Sequence, residues 1–257
     1  MGITFKIDGM TVQAEENEPL IDVANRYGIK IPTLCYHNAL EATGNCRICS
    51  VEVKHGSWSK LVTACNYPVW QDMEVSTKNE RVMFSRKMTL KMLLARCPQV
   101  EPVQKLAKEY GISATEYPTR NFEEKCILCY MCVRACEELI GTKSISAINR
   151  GIEKTIGVPF DEASPTCIGC ASCANICPTG AIPFEENDLI RKIWNKEFEM
   201  LRCTECGKAH ITKAQRDYLC RKNGVKPDYF DKCDACKRKD LAHTFNSLIL
   251  PDEMEIK

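Results

Sequence analysis

The sequence predicts an α+β protein in four consecutive parts, and three observations carry the prediction. An alternating apolar hairpin precedes a short amphipathic helix, two nearly identical cysteine runs stand roughly 30 residues apart, and two more C-x2-C pairs follow near the end. The 257 residues, 44% of them apolar, suffice for two or three small cores rather than one large one. With 18 cysteines spread along the chain, each part is expected to depend on a metal centre for stability. The expected boundaries are 1–78, 79–118, 119–190 and 191–257.

Residues 3–7 and 10–14 alternate around Asp8-Gly9, a favoured dipeptide for a two-residue hairpin turn. Pro19 is expected at the first helical position. Leu20, Ala24 and Tyr27 then recur along one face, and Gly28 supplies the left-handed stop. A short helix laid on a sheet is the result. Next come Cys35, Cys46, Cys49 and Cys65, with Gly44 before the central pair and an alternating strand over 51–53 after it. One close pair with two remote single thiols suits a [2Fe-2S] cluster, whereas structural zinc usually takes two paired knuckles. The ten residues between Cys35 and Cys46 depart from the four of plant-type ferredoxins. His37 reads as a loop residue beside the cluster, because four thiolates already complete the site.

Residues 79–96 carry Met83, Phe84, Met88, Leu90, Met92, Leu93 and Leu94 among good helix formers, which predicts a buried connecting helix. A second helix is expected from Pro102, with Val103, Leu106, Ala107 and Tyr110 on one face and Gly111 as its end.

The two runs are Cys126, Cys129, Cys132, Cys136 and Cys167, Cys170, Cys173, Cys177, the second followed by Pro178 and the first by Glu137. A thiol at every third residue of a tight loop presents three thiolates to one [4Fe-4S] cluster, and the fourth crosses over from the other run. Cys126, Cys129, Cys132 and Cys177 are therefore expected to hold one cluster, and Cys167, Cys170, Cys173 and Cys136 a second. Zinc has no use for a triply spaced run repeated twice. Each run should open a short helix and lead into an apolar strand, over 144–148 and 180–184, to make a pseudo-symmetric ferredoxin domain. Lys125 and Arg134 accompany the first run, while the second has no charge between its cysteines, so the first cluster is expected to be the easier to reduce.

Near the end, Cys203, Cys206, Cys233 and Cys236 form two knuckles around a helix-sized segment, 212–223. That pairing predicts one zinc ion, with a third [4Fe-4S] cluster on the same thiolates as the alternative. Cys220 is surplus, and His210 and His243 are expected to be solvated.

A net charge of +1 with mixed signs gives no basic stripe for nucleic acid. The start lacks the order of a signal peptide and no apolar run reaches the length of a membrane span, so the chain reads as cytoplasmic. No nucleotide-binding glycine motif is visible, and no residue is assigned a catalytic role.

Three stretches, 31–37, 44–53 and 64–69, resemble the [2Fe-2S] domain that opens the iron-sulfur subunit of respiratory complex I and of soluble NAD-linked hydrogenases. The resemblance continues through 126–129, Arg150-Gly151 and 177–180 and covers residues 1 to about 190. It implies a β-grasp [2Fe-2S] domain, a helical linker, a bacterial-type dicluster domain and a small cysteine-rich module. It further implies an electron-transfer subunit of a diaphorase module in NAD-linked hydrogenases or formate dehydrogenases. The implied partners are a flavin- and NAD(H)-binding subunit and a catalytic hydrogenase or formate dehydrogenase subunit. Such assemblies also admit ferredoxin and electron bifurcation. In these relatives the linker resembles a segment holding a [4Fe-4S] cluster through one histidine and three cysteines. Only Cys97 remains of such a set here, so the linker is expected to hold no metal and Cys97 to be a buried free thiol. A free polyferredoxin carrier is the alternative, disfavoured by the lack of acidic charge, and an iron-sulfur or zinc regulatory sensor is a third reading.

Overall fold

A computed structural model describes residues 2–249, so residues 250–257 of the expected tail lie outside the described residues. Contacts divide the chain into two units. The first is Met1–Gly141 with Ile145–Ile156 and Ser172–Ile182, and the second is Thr142–Ser144, Gly157–Ala171 and Pro183–Lys257.

In the first unit, β1 (Gly2–Ile7) and β2 (Met10–Glu15) form the expected hairpin, and Asp8 and Gly9 take the two left-handed conformations that a type I′ turn demands. β3 (Ser50–His55) and β4 (Trp58–Thr63) make a second hairpin, and β5 (Glu74–Ser76) joins the two, parallel to β1 and antiparallel to β3. The sheet order is β2-β1-β5-β3-β4. α1 (Leu20–Arg26) buries Leu20, Ile21, Val23 and Ala24 in a core with Phe5, Ile7, Val12, Val51 and Val53. Pro19 stands one place earlier than expected, as the extended N-cap. It bridges Pro68 and leaves the Leu20 N–H to donate to the Tyr67 carbonyl.

α2 (Glu80–Arg96) is capped by Asn79, whose side chain accepts from the Val82 N–H. It is not buried all round as expected. Val82, Arg86 and Leu90 face inward, while Phe84 and Met92 are 66% and 54% exposed, because the helix packs chiefly against β3 and against α3 (Glu101–Glu109). α3 presents the expected face and stops at left-handed Gly111.

The first cysteine run enters α4 (Met131–Arg134), which continues as a π-helical stretch, Ala135–Ile140, ended by left-handed Gly141. β6 (Ser146–Ile148) pairs with β7 (Thr155–Gly157). The second run enters α5 (Ser172–Asn175), which packs on α4. The expected symmetry ends there. The strand after the second run begins at Phe184 rather than Gly180, since Pro183 has no N–H to give a ladder. It is β8 (Phe184–Glu186), and it joins β9 (Ile190–Ile193), β10 (Lys196–Arg202) and β11 (Ala209–Thr212) in one antiparallel sheet of the second unit. α6 (Lys213–Asn223), capped by Thr212 and stopped by Gly224, and α7 (Asp234–Ile249) complete that unit. Among the described residues no helix is long and apolar enough to cross a membrane.

Candidate metal centres

Cys35, Cys46, Cys49 and Cys65 converge in the first unit, each at most 5% exposed. The Cys46 N–H donates to the Cys35 sulfur at 3.3 Å, and the thiols pair as Cys35 with Cys46 and Cys49 with Cys65. The Cys46 thiol bonded to it and the backbone N–H groups around it bring Cys35 down to about 6. The same bond, with burial, pushes Cys46 up. The loop needs Gly44, at φ +66°, where a Cβ would stand 2.7 Å from the Thr63 hydroxyl. Four soft thiols gathered in one buried pocket match the donor set of an iron-sulfur cluster.

Both ferredoxin-like runs turn left-handed at the same two places, Leu128 and Tyr130 in the first, Gly169 and Ala171 in the second. Alternating left- and right-handed residues aim successive N–H groups into a concavity that favours an anion. A side chain such as Leu128 is held there at a cost of about 1–2 kcal/mol, the kind of backbone strain that gathers at functional sites. Burial raises the Cys129 thiol to about 11 and Cys132 to about 12. Cys177 is an electrostatic neighbour of Cys126, Cys129 and Cys132, as a crossover ligand must be. Its sulfur accepts the Ala181 N–H at 3.3 Å. Cys136 and Cys173 belong to the first unit and Cys167 and Cys170 to the second, so the grouping of these four rests on their spacing.

The expected charge difference between the runs is not what the fold delivers. Arg191 on β9 donates to the Gly169 carbonyl at 2.7 Å and Lys196 on β10 to the Cys167 carbonyl at 3.3 Å, so the second run is flanked by two cations from distant sequence. Arg134 turns away from its own run toward Cys35.

Between the pocket of Cys35, Cys46, Cys49 and Cys65 and the first run there is direct contact. Cys35, Cys46 and Ile48 share one apolar cluster with Ile127, Cys129, Met131 and Ala135. The Asn45 amide donates to the Cys129 carbonyl at 3.3 Å, the Glu41 N–H donates to Glu138 at 2.9 Å, and Arg134 donates to the carbonyls of Cys35 and Glu41. The long gap between Cys35 and Cys46 is thus spent on a loop that docks on α4. α2 spans the same region as a strut: Arg86 donates twice to the Ser50 carbonyl and Arg96 donates to the Cys126 carbonyl at 2.7 Å. These arginines were not singled out in the sequence, where only a run of helix formers marked them. Cys97 is wholly buried in the same apolar cluster with Leu90, Val100 and Val103, and burial pushes its thiol up to about 12.

In the second unit the sulfurs of Cys203, Cys206, Cys233 and Cys236 lie within 4.8 Å of one another, with Cys206 and Cys233 at 3.7 Å. The backbone N–H groups of Cys206 and Cys233 hold Cys203 down to about 6. Cys220 lies on α6 outside this group of four. His243 is exposed as expected, but His210 on β11 is not solvated in the expected way: its Nε2 is buried with no hydrogen-bond partner, and desolvation lowers its pKa.

Comparison with known proteins finds iron-sulfur domain families along the chain. The 2Fe-2S iron-sulfur cluster binding domain family matches residues 1–80, the ferredoxin-like domain of NADH-quinone oxidoreductase subunit 3 matches 119–183, and a 4Fe-4S dicluster domain matches 166–212. The chain carries iron-sulfur cluster domains of both the 2Fe-2S and the 4Fe-4S kind. It is 30% identical over 203 residues to NADPH-Fe(3+) oxidoreductase subunit alpha of Geobacter sulfurreducens, covering 70% of this chain and 24% of that protein. To the NADP-reducing hydrogenase subunit HndD of Solidesulfovibrio fructosivorans it is 31% identical over 211 residues, or 70% of this chain and 36% of the other. It therefore spans only about a quarter to a third of these relatives. A crystal structure of an NAD+-reducing [NiFe]-hydrogenase in the H2-reduced state superimposes with a TM-score of 0.60 at 26% identity, covering 70% of this chain and 86% of that one.

Proposed function

We propose that the chain is a cytoplasmic relay subunit between a flavin- and NAD(H)-binding subunit and a catalytic hydrogenase or formate dehydrogenase subunit, with ferredoxin as a further exchange partner. Cys35, Cys46, Cys49 and Cys65 hold one [2Fe-2S] cluster. Cys126, Cys129, Cys132 and Cys177 hold one [4Fe-4S] cluster, and Cys167, Cys170, Cys173 and Cys136 a second. When bound, these groups supply one-electron redox steps. The observation that carries the reading is the shared apolar junction of Cys35 and Cys46 with Cys129, where Ile48, Ile127 and Met131 exclude water. Cys97 in the linker is packed among Leu90, Val100 and Val103, which fits a linker that holds no metal. The likeness to an NADP-reducing hydrogenase subunit and to an NAD+-reducing [NiFe]-hydrogenase supports the choice of partners.

Cys203, Cys206, Cys233 and Cys236 hold one zinc ion. A tetrahedral zinc with sulfurs at about 2.3 Å sets them about 3.8 Å apart, close to the 3.7 Å of Cys206 and Cys233, whereas a cubane interposes iron and sulfide and spreads them wider. The test is anaerobic purification of the native assembly. Iron, sulfide and zinc in the proportions of one [2Fe-2S], two [4Fe-4S] and one zinc are expected, with co-purifying flavin and hydrogen- or formate-dependent NAD reduction. A lone monomer without a flavoprotein overturns the partner reading, and excess iron with no zinc overturns the tail assignment.

A further inference from the structure

Arg134 is only 7% exposed, and among the described residues no carboxylate stands within ion-pair distance of it. Two of its N–H groups reach the carbonyls of Cys35 and Glu41, and its Nε is buried with no partner at all. A buried cation with an orphaned donor is costly unless an anion compensates it. The Cys35 carbonyl that it binds at 3.0 Å places the guanidinium on the loop that carries Cys35 and Cys46, so its charge lies beside the pocket of Cys35, Cys46, Cys49 and Cys65.

We propose that Arg134 is a positioning residue of the N-terminal domain's redox centre: a cation donated by the first ferredoxin-like run that raises the midpoint potential of the [2Fe-2S] cluster across the junction. This rests on the assignment of that cluster to the four N-terminal cysteines. Four thiolates, two sulfides and two ferric ions sum to a dianion, and one added electron makes a trianion. A fixed positive charge therefore stabilises the reduced form more than the oxidised one, and more so where water is excluded. The same group locks the Cys35–Cys46 loop, so loop position and cluster potential are set by one side chain.

The test is a redox titration of the full-length, cluster-loaded protein followed by electron paramagnetic resonance, with the [4Fe-4S] signals as the internal reference. Wild-type protein lacking a [2Fe-2S] signal refutes the cluster assignment itself, a failure distinct from that of the Arg134 proposal. Arg134→Gln keeps donors and removes the charge. It is expected to lower the [2Fe-2S] midpoint by an amount equal to at least a tenfold change in the reduction equilibrium, about 59 mV for a one-electron couple. Arg134→Lys, which keeps the charge at another distance, should recover most of that shift. An unchanged [2Fe-2S] midpoint in Arg134→Gln overturns the proposal, as does a shift confined to the [4Fe-4S] signals. Should Arg134→Gln fail to retain the cluster, the neutral Arg134→Met decides by the same titration: a lowered [2Fe-2S] midpoint supports the electrostatic role, and a wild-type midpoint overturns it.

Discussion

The two cysteine runs have the same spacing, the same two left-handed positions and the same short helix around the third thiol, yet they are held in different ways. At the first, the left-handed places are taken by Leu128 and Tyr130, and the run is braced by neighbours in the N-terminal unit, through Asn45, Arg96 and an apolar cluster that reaches to Cys97. At the second, Gly169 and Ala171 take those places, and the loop lies against the sheet of β9, β10 and β11. Arg191, Lys196 and Thr212 bind its carbonyls there, and Phe198 covers Gly169. Equal ligand spacing therefore fixes a loop's conformation but leaves its support free to differ. The first run carries left-handed strain at both Leu128 and Tyr130, held by the contacts around it, whereas the second carries it only at Ala171, Gly169 sparing the other position but leaving no spare room.

That difference is tested most severely by giving the second run the residue of the first. In Gly169→Leu the new Cβ lies 2.5 Å from the Phe198 ring at a φ of +66°. Left-handed strain and overpacking together should cost about 3–4 kcal/mol. A fall in thermal midpoint together with loss of roughly one cluster's worth of iron is expected. Full iron content at wild-type stability would show that Phe198 gives way freely and that the second run is not closely backed.

A smaller effect is expected under the first run. Cys97→Ser puts a hydroxyl where a buried thiol sits among Leu90, Val100 and Val103, and should cost about 1–3 kcal/mol in denaturant unfolding. The thiol also gives a pH signature. Burial raises it to about 12 from its ordinary 9, so the folded state holds a proton that the unfolded chain releases. Its stabilising contribution is complete below pH 9 and is lost as pH rises from 9 towards 12. Cys97→Ala should flatten that part of the alkaline stability profile, and an unchanged slope would remove Cys97 from the account.

What was legible in the sequence divides along the same line. The hairpin at Asp8-Gly9, the ends of α3 and the caps of α6 follow from neighbours a few residues apart, and thiol ligands declare themselves by spacing. The parallel pairing of β1 with β5 joins Lys6 to Glu74, and β5 is three residues long, so no local pattern announces it. Arg191 and Lys196 reach the second run from 22 and 29 residues away, and only the β9–β10 hairpin, turned at left-handed Trp194 and Asn195, brings them there. A reading based on charges between the cysteines misses them. α2 misled for a related reason: its apolar residues fall all round the helix, and only the packing of β3 and α3 decides which of them are covered.

The mildest exchange is the reverse one. Leu128→Gly removes a half-exposed side chain from φ +53°, which relieves about 1 kcal/mol of left-handed strain, while the freer unfolded chain takes back roughly the same amount. Stability within about 0.5 kcal/mol of wild type and unchanged iron content are therefore expected, read by thermal unfolding and iron analysis. The asymmetry between the two exchanges is the point at issue. Were Leu128→Gly to cost as much as Gly169→Leu, the Leu128 side chain would itself be part of the seal over Cys129, and the first run would owe its shape to that side chain rather than to the contacts around it.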